Sequence, residues 1–173
     1  PTTREDYNVW WGFAGSPLIE GNKLILSVGT AGVALNKRTG DILWDNGPGR
    51  AGYSSPVPFD FQSERCFAKL GGHEIVMARI SDGKILARTL WRTTWDQNAP
   101  NVLVADGKLF VTTGHGVGCA LFDIAAEGLT PVWRNKNMSS ELATPVLWKN
   151  HVYGFDKNRL VCLDWKTGTI RWA

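Results

Sequence analysis

The chain has 173 residues, 43% of them hydrophobic and 20% charged, a balance that supports a sizeable core and argues against a disordered chain. Its net charge of +3 comes from 19 basic and 16 acidic residues interspersed along the sequence, so no like-signed run offers a track for nucleic acid. No apolar stretch approaches the roughly 20 residues that cross a bilayer, and Cys66, Cys119 and Cys162 are too few and too far apart for a disulfide framework or a CxxC pair.

In chain order, residues 1–15 come first, and the alternation of Tyr7, Val9 and Trp11 predicts an edge strand or strap there. Four segments then begin with a small or polar residue and a proline: Ser16-Pro17, Ser55-Pro56, Ala99-Pro100 and Thr144-Pro145. The prolines recur every 39 to 45 residues. Each start leads through a turn into an apolar strand, as in Gly21-Asn22 before Leu24-Ile25-Leu26 and Asp106-Gly107 before Leu109-Phe110-Val111. Glycine, asparagine and aspartate tolerate the positive φ of tight hairpins.

Each unit closes on a second turn. Asn36-Lys37-Arg38-Thr39-Gly40-Asp41-Ile42-Leu43-Trp44 and Asp164-Trp165-Lys166-Thr167-Gly168-Thr169-Ile170-Arg171-Trp172 share one spacing. The second copy keeps Gly83 but has Ala87 where the others have tryptophan, and the third, Asp123 to Trp133, is two residues longer around Gly128. Four short strands per repeat predict an all-β fold, a β-propeller of four-stranded antiparallel blades. The expected units are 16–54, 55–98, 99–143 and 144–173, the last of them complete or truncated. No segment carries the 3.6-residue period of a capped helix.

The D-x-x-T-G-x-x-x-W turn, with asparagine for aspartate in the first copy, resembles the tryptophan-docking motif of the pyrroloquinoline-quinone (PQQ)-type repeat family, which includes quinoprotein dehydrogenases and BamB-type outer-membrane assembly lipoproteins. The resemblance spans roughly residues 16 to 173. It implies packing roles between blades for Gly40, Trp44, Gly83, Trp133, Gly168 and Trp172. It also implies rings of about seven or eight blades, so that four units are half a ring. The remainder would come from a longer chain, another protein or a second copy in a homodimer. An extracytoplasmic setting, in the periplasm or at the cell surface, follows from the resemblance alone.

The residues favour a scaffold over an enzyme. A quinoprotein dehydrogenase would use PQQ and calcium, held by a tryptophan platform, an adjacent-cysteine disulfide and clustered oxygens, and the sequence has no Cys-Cys pair and no dense acidic loop. Asp96 and Asn98 stand close together but equally finish a turn. His73, His115 and His151 lack zinc-ligand spacing, and Gly114-His115-Gly116-Val117-Gly118 precedes no helix that could bind an anion. Binding is expected instead on the face formed by the long loops between repeats, through Arg50, Tyr53, Trp91, Arg92, Trp95, Asp96, Arg134, Asn137 and Glu141, a mixture suited to a protein partner. A fragment of a PQQ-dependent oxidoreductase is the alternative reading.

Overall fold

The computed structural model describes residues 10–173 and builds them from sixteen strands in four antiparallel sheets. The first sheet is β1 (Leu18–Glu20), β2 (Lys23–Leu26), β3 (Val33–Asn36) and β4 (Ile42–Asp45). The second is β5 (Val57–Phe61), β6 (Glu64–Leu70), β7 (Glu74–Arg79) and β8 (Ile85–Leu90). The third is β9 (Leu103–Ala105), β10 (Lys108–Thr113), β11 (Gly118–Ala125) and β12 (Gly128–Asn135). The fourth is β13 (Val146–Trp148), β14 (His151–Asp156), β15 (Arg159–Asp164) and β16 (Ile170–Trp172). Within each sheet the spatial order is the chain order, and the described residues contain no helix.

The repeat extends to irregularities. Every sheet has one register shift between its third and fourth strands, at Ala34/Leu35, Met77/Ala78, Leu121/Phe122 and Cys162/Leu163. Such a bulge re-aims the last strand and adds twist at the same place in each blade. The first hairpins of the second, third and fourth sheets are alike: Gln62-Ser63, Asp106-Gly107 and Lys149-Asn150 all have positive φ at both central residues. That conformation matches the right-handed twist of the flanking strands.

Alternation sends every other side chain to opposite faces of a sheet, and three apolar cores form between successive sheets. Ile25, Ala34 and Trp44 meet Phe67, Ala78 and Ile80 between the first and second. Cys66, Ala68, Met77 and Trp91 meet Leu109, Val111, Ala120 and Phe122 between the second and third. Phe110, Cys119 and Leu121 meet Val152, Val161, Leu163 and Trp165 between the third and fourth. Among the described residues no such cluster joins the fourth sheet to the first.

The cores rest on a repeated docking device. The indole Nε1–H of Trp44 donates to the carbonyl of Ile80 at 3.1 Å, and a methyl group at Gly83 would lie 2.7 Å from the same ring. Trp133 does likewise two junctions later, donating to the carbonyl of Trp165 at 3.1 Å and covering Gly168, where a methyl would also lie 2.7 Å away. The tryptophan closing one blade therefore seats on the glycine of the next. At the middle junction the pair has become Ala87 and Gly128, where an added methyl would lie 3.9 Å from Ala87 Cβ.

Two expectations are met differently. Among the described residues nothing lies within 4 Å of a methyl added at Gly40, and Trp172 is 47% exposed and packs on Tyr153 of its own sheet, ring centroids 6.0 Å apart, not on a glycine of another. Among the described residues neither has a docking counterpart in another sheet. Trp11 lies in a turn with Trp10, not in a strand, and Tyr7 and Val9 lie outside the described residues.

The three cysteines are buried free thiols. Burial pushes the Cys119 thiol up to about 12, and its Sγ lies 3.2 Å from Oδ1 of Asn135.

Candidate functional site

An antiparallel four-stranded sheet puts its first and third turns at one end and its second turn at the other, together with the connection to the next sheet. The short hairpins at 21–22, 62–63, 106–107 and 149–150 and the docking-glycine turns share one end. The opposite end gathers the connections 46–56, 91–102 and 136–145 with the turns at 71–73 and 114–117.

At this second end Trp10, Trp11, Trp95, Gln97 and His115 line a cleft of about 420 Å³. Trp10, Trp11 and Trp95 are 79%, 68% and 58% exposed. Three indoles left in water around one cleft are unusual, because each forfeits a large apolar area that burial would remove from solvent. His115 Nε2 stands 3.2 Å from Oε1 of Gln97, which ties the 114–117 turn to the loop carrying Trp95. Trp11 packs on Tyr53 at 5.6 Å between ring centroids, and its backbone N–H donates to the Tyr53 hydroxyl at 3.4 Å.

A polar rim adjoins the cleft. Asp96 accepts from the Arg50 guanidinium and lies 2.6 Å from Nε2 of His73. Its backbone is left-handed, with φ +58°, a strained conformation for a non-glycine residue that the two partners hold in place. Arg50 is further fixed by its carbonyl, which accepts from the N–H of Gly72 at 2.9 Å.

Asn98 is the post beneath this arrangement. It is fully buried, and its side-chain amide donates to the carbonyls of Gly71 at 2.8 Å and Gly72 at 2.9 Å, while its backbone carbonyl accepts from Tyr53 N–H at 2.8 Å. Its side chain thus ties the loop of Trp91 and Trp95 to the turn of His73, and its backbone holds the loop of Tyr53. Replacing Asn98 with alanine is expected to cost about 2 kcal/mol by orphaning buried carbonyls. Chemical denaturation measures it, and a loss under about half a kcal/mol would show that the post is dispensable.

The residues expected on this face divide. Arg50, Tyr53, Trp95 and Asp96 come together at the cleft and its rim, and Arg92 is exposed on the same connection. Trp91 must be removed from the set. It is 1% exposed, donates from Nε1 to Thr113 Oγ1 at 2.9 Å and meets Phe122 edge-on, so it fills the junction where Ala87 replaces the docking tryptophan. Arg134 covers that ring, its guanidinium carbon 4.6 Å from the centroid. Asn137 is turned toward the fourth sheet, donating to the carbonyl of Gly168 at 2.8 Å. Glu141 lies apart, over Gly114 on one side and lining a second cavity with Leu142, Phe155 and Lys157 on the other.

Trp10, Gln97, His73 and His115 were not among the residues expected from sequence. The signal available was topological: the hairpin between second and third strands opens at the same end as the long connections, which brings the His73 and His115 turns to the cleft. Among the described residues no three His, Cys, Asp or Glu side chains stand together as metal ligands.

A family model described as outer membrane protein assembly factor BamB matches residues 9–173. The chain belongs to the BamB family. No curated protein matches it in sequence. Among solved structures, BamB from Moraxella catarrhalis superposes with a TM-score of 0.70 at 19% identity, over 90% of this chain and 46% of that one. A europium-containing methanol dehydrogenase gives 0.60 at 11% identity over 90% and 40%, and the computationally designed Ika4 protein gives 0.59 at 14% over 88% and 91%. These likenesses establish the propeller fold. The chain spans about half the length of the BamB structure.

Proposed function

We propose that this BamB-family chain is a non-catalytic scaffold that binds an extended, apolar or aromatic segment of a protein partner at the cleft of Trp10, Trp11 and Trp95, in the cell envelope. The observation that carries the reading is the exposure of three indoles around one rigidly held cleft. Exposed aromatic rings beside an arginine are the side chains that most often anchor protein interfaces. The Arg50–Asp96–His73 rim supplies directional polar contacts beside them. The family description, an outer-membrane assembly factor, supports the setting.

Selection of a displayed library of short peptides against the purified chain tests the reading. Enriched peptides are expected to carry aromatic or large apolar residues and to lose at least about tenfold in affinity to a Trp10→Ala, Trp95→Ala variant, since each lost anchor is worth about 1 kcal/mol or more. Peptides insensitive to that variant but abolished by changes in the hairpins at the opposite end would sink it. On this reading the chain takes no cofactor, and adding PQQ with calcium leaves its melting temperature unchanged. A clear rise with a bound-quinone absorbance would favour a fragment of a PQQ-dependent oxidoreductase instead.

A further inference from the structure

Every residue lining the cleft of Trp10, Trp11 and Trp95 lies in a turn or connection and none in a strand, so the cleft stands apart from the outer faces of the first and fourth sheets. Its side chains offer donors and acceptors unequally. An indole Nε1–H donates and cannot accept. Among the described residues no acceptor is bonded to that N–H in Trp10, Trp11 or Trp95.

The side-chain acceptors around the cleft are already engaged. Gln97 Oε1 can only accept, so across their 3.2 Å contact His115 donates from Nε2. The Tyr53 hydroxyl oxygen accepts from the backbone N–H of Trp11 at 3.4 Å. Asp96 gives one carboxylate oxygen to Arg50 and the other to His73. What is left over is a surplus of donors, namely the indole N–H groups, the Gln97 amide and the Tyr53 O–H, against His115 Nδ1 as the one spare ring acceptor.

A ligand that complements such a site accepts hydrogen bonds and donates few. Sugars donate from every hydroxyl, and a peptide added as a strand donates from its N–H groups and needs a strand edge, which these turns and loops do not present. Proline has no backbone N–H, and a polyproline II helix makes no internal hydrogen bond, so its carbonyls are free to accept. Shape agrees with chemistry. The Trp11 and Tyr53 rings are tilted by 55° at 5.6 Å and leave a notch between them, and a helix of about three residues per turn returns an apolar side chain to one side at each turn, ready to enter such a notch.

We infer that the segment bound at this cleft is proline-rich and in the polyproline II conformation, with a large apolar residue between prolines as its anchor and its carbonyls accepting from the indole N–H groups. The inference rests on the cleft being the partner site proposed above, and it names the chemistry of that partner.

Calorimetry on the whole chain compares two synthetic peptides, one of Pro-Pro-Leu repeats and one of Thr-Thr-Leu repeats, which keeps the leucines and restores the backbone N–H groups. The proline peptide is expected to bind at least about tenfold more tightly and to lose that binding in the Trp10→Ala, Trp95→Ala variant. Trp10→Phe and Trp95→Phe each keep an aromatic face and remove one donor, so each should weaken the proline peptide by about threefold or more, with an unchanged circular dichroism spectrum. Equal binding of the two peptides at the cleft, or phenylalanine variants that bind as the parent does, overturns the inference and leaves the cleft a partner site. Proline-peptide binding that survives the double alanine variant overturns it as well. If neither peptide binds, the inference fails, and the library selection decides the cleft separately.

Discussion

Trp44→Ala is expected to destabilise the chain by about 3–5 kcal/mol and to lower the melting temperature by roughly 10 °C. The side chain is nearly fully buried, stacks within 4° of parallel on Phe67 at 6.0 Å, and places its only polar atom on the Ile80 carbonyl. Alanine removes the apolar area, leaves a cavity between two sheets and orphans that carbonyl. Blades couple mainly to their neighbours, so the damage should be local. Hydrogen exchange should accelerate most in β1–β4, with β10, β11, β14 and β15 protected. Gly83→Ala tests the same seat from the other side, because its methyl would lie 2.7 Å from Trp44 Cδ2 and its φ of +75° is costly for any L-residue. A loss below about 1 kcal/mol for both variants, or uniform loss of protection, would show that the docking pair does not hold the blades together.

The docking device was legible in the sequence because it depends on spacing alone: a glycine turn four residues before a tryptophan, at Gly40 and Trp44 and again at Gly168 and Trp172. What spacing could not convey is that each tryptophan seats on the glycine of the following blade, not its own. That offset is a property of packing between sheets. It explains why Gly40 and Trp172, drawn from the two best-matched copies of the motif, have no docking counterpart in another sheet among the described residues.

The candidate site was less legible. Loop length grouped Arg50, Tyr53, Trp95 and Asp96, but it could not separate Trp91 from Trp95, four residues apart in one connection. The difference is made in three dimensions: loss of the tryptophan at position 87 opens space between the second and third sheets, and Trp91 occupies it. Exposure of Trp10 and Trp11 likewise depends on where the chain enters the first sheet, which no local pattern encodes.

The second large effect concerns Lys69. Its side chain is fully buried between the first and second sheets, and its Nζ donates to the carbonyls of Gly29 and Ala51, each at 3.0 Å. Burial lowers its pKa to about 7, whereas a lysine in the unfolded chain titrates near 10.4. Between those values the unfolded chain holds a proton that the folded chain has released, so stability rises with pH there and is lowest below pH 7. The full span is worth roughly 4–5 kcal/mol as an upper bound. Cys119 acts in the opposite sense, because burial keeps its thiol protonated while an unfolded thiol ionises above about pH 8.5, so its contribution fades as pH rises past that point. The window from pH 7 to 8.5 therefore isolates the lysine. Urea unfolding of the chain should show a stability gain of about 1–2 kcal/mol across it. Lys69→Met, which keeps the length and loses the charge, should be flat over the same range and less stable than the parent at pH 8.5, where the neutral amine still satisfies two carbonyls that methionine leaves bare. Parallel slopes in the two proteins would mean that the buried amine keeps its proton, its charge stabilised by those carbonyls despite the loss of water.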